Sequence, residues 1–238
     1  MPGKTISIRS RAGGKFGCYL AAPDTKDLSP AIVLASAIHG VDEDIRAIAD
    51  EFAGHGFIAA APDLFWRSLP GPLSRSDERA AQRSQPRLTN IKAGEDDMAD
   101  TLTHLSTLRK FNGRAAAMGF CYGGPYAILG PKRLGYAAGI SCHGTLMLEY
   151  IEELEGGTQP VCIIWGDQDH LAPIKVLDAY REIASRVNNV ELHIIPGVRH
   201  SYMMPGSPAA FNPVARDFSM QRALALLQHI KSARLVSA

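Results

Sequence analysis

The stretch AAAMGFCYGGP, residues 115–125, indicates the fold most clearly and contains the most informative cysteine of the chain. Its apolar first half predicts a short buried strand. Gly119 and Gly123 flank Cys121 two residues away on either side, and they remove side chains where a strand must turn sharply into a helix. This Gly-x-Cys-x-Gly spacing is typical of a nucleophile elbow that carries sulfur instead of the usual serine oxygen. A buried cysteine beside a tight turn is the alternative interpretation.

Composition limits the class of protein. With 238 residues, of which 46% are hydrophobic and 21% charged, the chain can bury one sizeable core, and we predict a single α/β domain over residues 1–238. A net charge of +1 without long charged runs favours a small-molecule partner over nucleic acid or an anionic membrane. Four cysteines without CxxC spacing are too sparse for a disulfide framework. No signal-like or membrane-spanning apolar run occurs, so we expect a cytoplasmic protein, and the oligomeric state is not indicated.

Short apolar strands alternate with helical patterns along the chain. Strands are expected over residues 5–9, 16–21, 31–35, 57–63, 115–118, 137–142, 161–165 and 190–195, and helices over 42–55, 95–110, 122–134 and 211–231. The first two strands flank Gly13-Gly14 and predict a hairpin. The alternation predicts a mainly parallel, doubly wound sheet of about eight strands flanked by helices. Ligands of such sheets bind at the carboxyl ends of the strands.

Loops after the later strands offer a base and an acid for Cys121. A thiolate attacks an acyl carbon, so the cysteine needs a base, and His200 follows the last predicted strand. Asp169 follows the strand before it and is the expected acid, whereas Asp167 beside Gly166 is explained as a turn residue. The order Cys121, Asp169, His200 is the nucleophile, acid, base order of the α/β-hydrolase arrangement.

The same arrangement predicts an oxyanion hole at the main-chain amides of Ile38 and Tyr122. Side chains on loops after strands, in the long polar segment 66–94 and next to the candidate base are candidates for substrate binding: His39, Trp66, Arg83, His143, Tyr202 and Met204. His39 and His143 are equally well explained as loop histidines whose hydrogen bonds are satisfied.

These motifs resemble the dienelactone hydrolase family of α/β-hydrolases over nearly the whole chain. The resemblance lies in GFCYGG at 119–124, GDQDHLAP at 166–173 and HSY at 200–202. It implies a Cys121, Asp169, His200 triad that hydrolyses small esters or lactones through a thioester acyl-enzyme. It implies neither a metal nor an organic cofactor.

Two positions depart from that family's pattern. Dienelactone hydrolases have a glutamate just before the oxyanion-hole residue, where this chain has Ala37, and an arginine four residues after the catalytic histidine, where it has Met204. A second family arginine corresponds to Ala81, with Arg83 only nearby. We therefore expect a more apolar ester pocket that is not selective for a carboxylated dienelactone.

Two other functions stay open. A thioesterase or other acyl hydrolase would use the same triad, because only the shape of the pocket differs. A non-catalytic ligand binder or redox sensor would use Cys121 as an oxidisable thiol. A metal hydrolase is not expected, since the sequence has no His-Glu-x-x-His motif.

Overall fold

The computed structural model describes residues 2–172 and 174–232, with the side chains of 87–89 left out. The strands are β1 Lys4–Arg9, β2 Lys15–Ala21, β3 Ser29–Ala35, β4 Ile58–Pro62, β5 Phe111–Phe120, β6 Ala138–Cys142, β7 Val161–Gln168 and β8 Val190–Arg199. The helices are α1 Glu43–Gly54, α2 Arg79–Thr89, α3 Ile91–Leu105, α4 Tyr126–Arg133, α5 Ile174–Arg186 and α6 Pro213–Ser232. Short 3₁₀ helices span Cys121–Gly123, Met147–Glu149 and Ile151–Leu154.

One eight-stranded sheet runs through the molecule in the order β1-β2-β4-β3-β5-β6-β7-β8. The β1–β2 hairpin and the β2–β4 pair are antiparallel, and β3 to β8 are parallel. The predicted fold, a mainly parallel α/β-hydrolase sheet of about eight strands, is confirmed. The single domain over residues 1–238 stays a prediction, because residues 1, 173 and 233–238 lie outside the described chain.

Helices cover both faces of the sheet. In β3, Ile32 and Leu34 pack in one cluster with α1 and α6, whereas Ala31 and Val33 pack in a second cluster with α3 and Tyr126 of α4. Every residue of β3, β4 and β6 is buried, because parallel strands covered on both faces meet no water. Within the described residues, no helix is both long enough and apolar enough to cross a membrane.

Several elements differ from the sequence-based expectation, either in their boundaries or because they were not expected. The polar segment 66–94 contains α2, whose inward face carries Arg83, and a charged residue on that face hides the helical pattern. Helix α3 begins at Ile91 instead of residue 95, because the side chain of Asn90 caps the N–H of Ala93. Helix α5 was not predicted, and β8 continues to Arg199 instead of ending at 195.

The turn after β5 depends on glycine contacts with neighbouring backbone. A Cβ on Gly119 would lie 2.0 Å from the carbonyl oxygen of Gly123, and a Cβ on Gly123 would lie 2.0 Å from that of Ala35. These distances are far inside van der Waals contact. The Gly-x-Cys-x-Gly spacing is therefore a steric requirement of the turn, which packs against the end of β3.

We expect Gly119→Ala to lower the free energy of unfolding by at least about 3 kcal/mol, because backbone at the centre of the sheet would have to move. Gly54→Ala is the matched control: Gly54 lies in α1, a Cβ at this position would have nothing within 4 Å, and alanine is worth about 0.5–1 kcal/mol more than glycine in a helix. Urea denaturation of both variants measures the difference. Equal stabilities would contradict the steric account.

Candidate active site

Cys121 lies at the carboxyl end of β5, in the first position of the 3₁₀ helix Cys121–Gly123. Its backbone has φ 51°, a left-handed conformation that costs a non-glycine residue energy. Hydrogen bonds hold the turn in place, since the carbonyl of Cys121 accepts from Gly124 N at 2.9 Å and from Thr145 N at 2.9 Å. The cysteine is 8% exposed, so it is screened from bulk water yet reachable. This geometry is that of a nucleophile elbow.

Neighbouring strands position the acid and the base together. Strand β7 ends at Gln168, directly before Asp169, and β8 ends at Arg199, directly before His200. His200 Nδ1 and Asp169 Oδ2 lie 2.7 Å apart, and both residues are buried. The other carboxylate oxygen, Oδ1, accepts from Leu171 N at 2.9 Å, which fixes the orientation of the carboxylate. Asp167 is used differently, because its Oδ1 accepts from Gly197 N at 2.7 Å.

The electrostatics of His200 favour its charged form. Burial lowers the pKa of His200, but the hydrogen bond to Asp169 and the nearby Cys121 thiol outweigh burial and raise this pKa to about 9. His200 Nε2 is buried and makes no well-aligned hydrogen bond within the described part of the chain. Cys121 is close enough to shift the titration of His200 but is not bonded ideally to Nε2. Such loose contacts between nucleophile and base are usual in enzymes without bound substrate.

The expected oxyanion-hole residues lie on either side of Cys121. Tyr122 is the second residue of the 3₁₀ helix that begins at the nucleophile. Ile38 lies in the loop after β3, the strand that pairs with β5, and its side chain packs against the cluster that contains Cys121. The N–H of Ile38 makes no hydrogen bond to any described residue. This amide is available to a negatively charged oxygen.

Apolar side chains surround Cys121. Phe65, Tyr122 and Ala37 are buried in contact with Cys121, and Ile38 and Leu146 pack against them half-buried. The rings of Phe65 and Tyr122 lie 6.2 Å apart. Sequence reasoning missed Phe65 and Leu146 as site residues. The position of Phe65, just after a strand, could have indicated it, whereas nothing in the sequence around Leu146 does.

The substrate-binding candidates fall into two groups, one of which lies beside the oxyanion loop. His39 is half-buried, and its Nδ1 lies 3.0 Å from Nη1 of Arg75. Burial and the charges of Arg75 and Arg83 lower the pKa of His39 to about 4, so it is neutral at neutral pH. Arg83 is 3% exposed, and its Nε and Nη1 donate to backbone carbonyls instead of facing a pocket.

The other candidates pack away from Cys121 or behind His200. Trp66 lies in the cluster of Phe16, where its Nε1 is 3.2 Å from both carboxylate oxygens of Asp97. Met204 is 1% exposed in the core beside α6. Tyr202 is fully buried, and its hydroxyl lies 2.8 Å from the hydroxyl oxygen of Ser219. A direct role of these three in substrate binding is not supported by their positions.

His143 occupies a position directly behind the base. It is fully buried, and its ring lies edge-on to His200 at 4.9 Å and to Tyr202 at 5.2 Å. Neither ring nitrogen makes a hydrogen bond within the described residues. Burial and the neighbouring His200 hold the pKa of His143 well below its usual range, so its ring is neutral. His143 therefore packs against His200 without competing with it for a proton.

Strained backbone marks the same edge of the sheet. Four non-glycine residues in the described chain have a positive φ: Cys121, His143, Leu146 and Ser201. All four follow the carboxyl ends of β5, β6 and β8. Such conformations cost about 1–3 kcal/mol each and cluster at functional sites.

One group of possible metal ligands occurs in the described part of the chain. Cys162, Glu191 and His193 place their ligand atoms within 4.8 Å of one another at the start of β7 and β8. The carboxylate of Glu191 is already engaged, since it lies 2.7 Å from His193 Nε2 and 2.7 Å from Arg222 Nη2. The group lies at the end of β7 opposite Asp169, and the adjacent guanidinium opposes binding of a cation.

Comparison with known proteins places this geometry in a family. The family model described as "Dienelactone hydrolase family" matches residues 16–231. This chain belongs to the dienelactone hydrolase family. It is 31% identical over 229 residues to Carboxymethylenebutenolidase 1 of Cupriavidus pinatubonensis, with 95% of this chain and 97% of that protein covered. It is 25% identical over 230 residues to the carboxymethylenebutenolidase of Pseudomonas putida, with coverages of 95% and 97%. The protein is therefore a hydrolase, as expected from its motifs.

Solved structures agree with the assigned fold. A dienelactone hydrolase-like promiscuous phosphotriesterase from metagenomic libraries superposes with a TM-score of 0.80 at 16% identity, with 96% of this chain and 99% of that chain covered. The dienelactone hydrolase of Anabaena variabilis gives a TM-score of 0.70 at 16% identity, with the same coverages. At these identities the likeness concerns the fold alone.

In this dienelactone hydrolase family member, we expect Asp169→Asn to lower the pKa of His200 from about 9, because an amide does not stabilise an imidazolium as a carboxylate does. Because the pKa of His200 is raised in the folded chain, protonation of His200 also stabilises the native state. This contribution is fully present below the ordinary value of 6.5 and is lost as the pH rises through about 9. NMR titration of labelled histidines measures the shift.

Asp167→Asn is the matched control, since Asp167 bonds Gly197 N and not His200. It should leave the titration of His200 unchanged. An unchanged midpoint in Asp169→Asn would show that Asp169 is not the electrostatic partner of the base.

Proposed function

We propose that this protein is a cysteine-dependent hydrolase of small, uncharged esters or lactones that acts through Cys121, His200 and Asp169. The proposal rests on the strained turn at Cys121, which glycines enclose, and on the buried pair beside it. In that pair, His200 Nδ1 and Asp169 Oδ2 lie 2.7 Å apart. The names of the carboxymethylenebutenolidase relatives support hydrolysis as the reaction. We infer the triad and the class of substrate from the residues of the site.

The first half of the reaction forms a thioester. The Cys121 thiolate attacks the carbonyl carbon, and the π electrons of the carbonyl move to its oxygen, which becomes an oxyanion. The main-chain N–H groups of Ile38 and Tyr122 would stabilise this charge. Because the pKa of His200 is about 9, its imidazolium holds a proton at neutral pH and donates it from Nε2 to the departing alkoxide. An alcohol leaves, or the ring of a lactone opens, and the acyl group stays on sulfur.

The second half of the reaction regenerates the enzyme. His200, now neutral, takes a proton from water, and the resulting hydroxide attacks the thioester carbon. The second tetrahedral intermediate expels the Cys121 thiolate, and the carboxylic acid leaves. Asp169 orients His200 through Nδ1 in both halves of the reaction. The net reaction consumes one water and needs no cofactor.

We expect Cys121→Ala and His200→Ala each to reduce the turnover of a p-nitrophenyl ester by at least about 10³-fold, because each removes a member of the triad. Mass spectrometry of the wild-type enzyme, quenched during turnover, should show the mass of the acyl group added to the peptide that contains Cys121. His200→Ala should show no such adduct on the same timescale.

Cys18→Ala is the control for the loss of a buried thiol, because Cys18 lies in β2 away from the site. It should retain turnover. Full activity in Cys121→Ala would end the triad proposal, whereas loss of activity in all three variants would point to folding instead of chemistry. A panel of esters, lactones and thioesters with equal acyl groups would distinguish an esterase from a thioesterase.

The choice of an uncharged substrate rests on the surroundings of Cys121. The side chains in its cluster are Ala37, Phe65 and Tyr122, with Ile38 and Leu146 beside them, and none is charged. The nearby cation of Arg83 is committed to backbone carbonyls. Desolvating a substrate carboxylate against these apolar side chains would cost energy that no described contact returns.

We expect Leu146→Ala to shift selectivity toward longer acyl chains, because removal of three carbon atoms beside Cys121 enlarges the acyl pocket. The ratio of kcat/KM for hexanoate over acetate esters should rise about 10-fold or more, in line with about 1–3 kcal/mol for one methylene in an apolar pocket. Leu148→Ala on the same loop is the control, since Leu148 is exposed and lies outside the cluster. An unchanged ratio in Leu146→Ala would remove this side chain from the acyl pocket.

A further inference from the structure

Arg83 is a buried cation whose hydrogen bonds, among the described residues, all go to neutral main-chain carbonyls. It lies on the inward face of α2 and is 3% exposed. Its Nε donates to the carbonyl of Ile38 at 2.9 Å, and its Nη1 donates to the carbonyls of Leu69 at 2.8 Å and Gly71 at 2.6 Å. Its Nη2 makes no hydrogen bond to any described residue.

Burying the guanidinium of Arg83 costs free energy, so contacts that compensate for this cost are expected around it. Burial of a charge costs several kcal/mol, roughly, unless hydrogen bonds and nearby charges compensate. Three carbonyls compensate in part, and the guanidinium lies 4.4 Å from the centre of the Phe65 ring, in a cation–π contact. Burial lowers the pKa of Arg83 below its usual value, and carboxylates further away, foremost Asp63, oppose this effect in part. These contacts fix the position of Arg83 and leave only its Nη2 without a hydrogen-bond partner among the described residues.

The position of Arg83 links three segments that meet at the nucleophile. It joins the loop after β3, through Ile38, to the segment after β4, through Leu69 and Gly71. Phe65, over which the guanidinium lies, is itself packed against Cys121. Gly40 makes room for the arginine, since a Cβ there would lie 2.6 Å from Nη2.

Two further contacts hold the same loop from the same segment. The N–H of Leu73 donates to the carbonyl of His39 at 2.9 Å, and Arg75 lies 3.0 Å from His39 Nδ1. The loop after β3 is therefore held at both residues that follow Ala37. Of these contacts, the one from Arg83 acts directly on the oxyanion-hole residue, on the carbonyl of the peptide next to the donor amide.

We propose that Arg83 is a positioning residue of the reaction: by binding the Ile38 carbonyl it fixes the loop so that the Ile38 N–H points at the substrate oxyanion. The inference rests on the proposed function, because it takes Ile38 as an oxyanion-hole donor. This positioning role replaces the substrate contact that the sequence suggested for Arg83. An arginine in this place tunes the transition state through main-chain geometry and is not a catalytic residue.

The test compares Arg83→Met and Arg83→Lys with Arg79→Met. Arg79 lies on the same helix but is exposed and pairs only with Asp77, so it controls for loss of a positive charge from α2. Each variant is assayed for kcat and KM on a neutral p-nitrophenyl ester and for inhibition by a trifluoromethyl ketone. The Cys121 thiolate adds to this ketone and places an oxyanion in the hole. Alkylation of Cys121 by iodoacetamide forms no oxyanion and reports on the nucleophile alone.

We expect Arg83→Met to lower kcat by about 100-fold with KM little changed, because removing or misaligning one oxyanion donor costs on the order of 10²-fold or more. The inhibition constant of the trifluoromethyl ketone should rise by a similar factor, while the alkylation rate stays within about 2-fold of wild type, as expected for an effect confined to the oxyanion. Arg83→Lys should fall between, since a compact ammonium keeps the charge but lacks the planar fork that spans these carbonyls. Arg79→Met should behave as wild type.

Several outcomes would overturn the inference. An unchanged kcat in Arg83→Met, or a fall in the alkylation rate equal to the fall in kcat, would exclude action through the oxyanion. A rise in KM alone would assign Arg83 to substrate binding. If Arg83→Met does not fold, Arg83→Lys decides by the same measurements, and failure of both to fold would make Arg83 a residue of global stability. Turnover by Cys121→Ala would refute the proposed function itself, whatever the result for the Arg83 variants.

Discussion

The left-handed backbone at Cys121 constrains every other part of the site. A residue with φ 51° persists only where its surroundings hold it, and here those surroundings are main chain. Gly119 and Gly123 let the turn close on itself and on Ala35, and the carbonyl of Cys121 is held by Gly124 and Thr145. Packing at the centre of the sheet, where β5 lies between β3 and β6, compensates for the energy of this strained backbone. The thiol therefore stands at a fixed point at the carboxyl edge.

Rigid strands, not flexible loops, present the groups that would act on the thiol. Strands β7 and β8 pair along most of their length, and each ends one residue before Asp169 or His200. The acid and the base thus share one framework and stay hydrogen-bonded in a buried place. Burial alone would discharge His200, but its partners reverse that effect and keep it cationic. His200 stays charged because the folded chain places Asp169 and Cys121 next to it.

Positive charge near the site is used for structure instead of recognition. Arg83 and Arg75 both hold the loop after β3. Burial, together with the charges of these two arginines, lowers the pKa of His39 to about 4 and keeps it neutral. The surface that meets the nucleophile is left to Phe65, Leu146 and other apolar groups. In the proposed function, this division would let a site with arginines close by accept an uncharged acyl group. The stability of the loop would depend on these cations, and the chemistry would depend on the proposed triad.

The class of fold and the three residues of the candidate triad could be predicted from the sequence, because periodicity and turn chemistry are local. Gly119 and Gly123 indicated a tight turn, and Asp169 and His200 each followed a strand, so their meeting at one edge was expected of a parallel sheet. The contacts of Arg83, Trp66 and Met204 were settled only by the folded chain, which also brought Phe65 and Leu146 to the nucleophile. Side-chain direction and burial arise from packing between distant segments, and such contacts leave no periodic pattern in the chain.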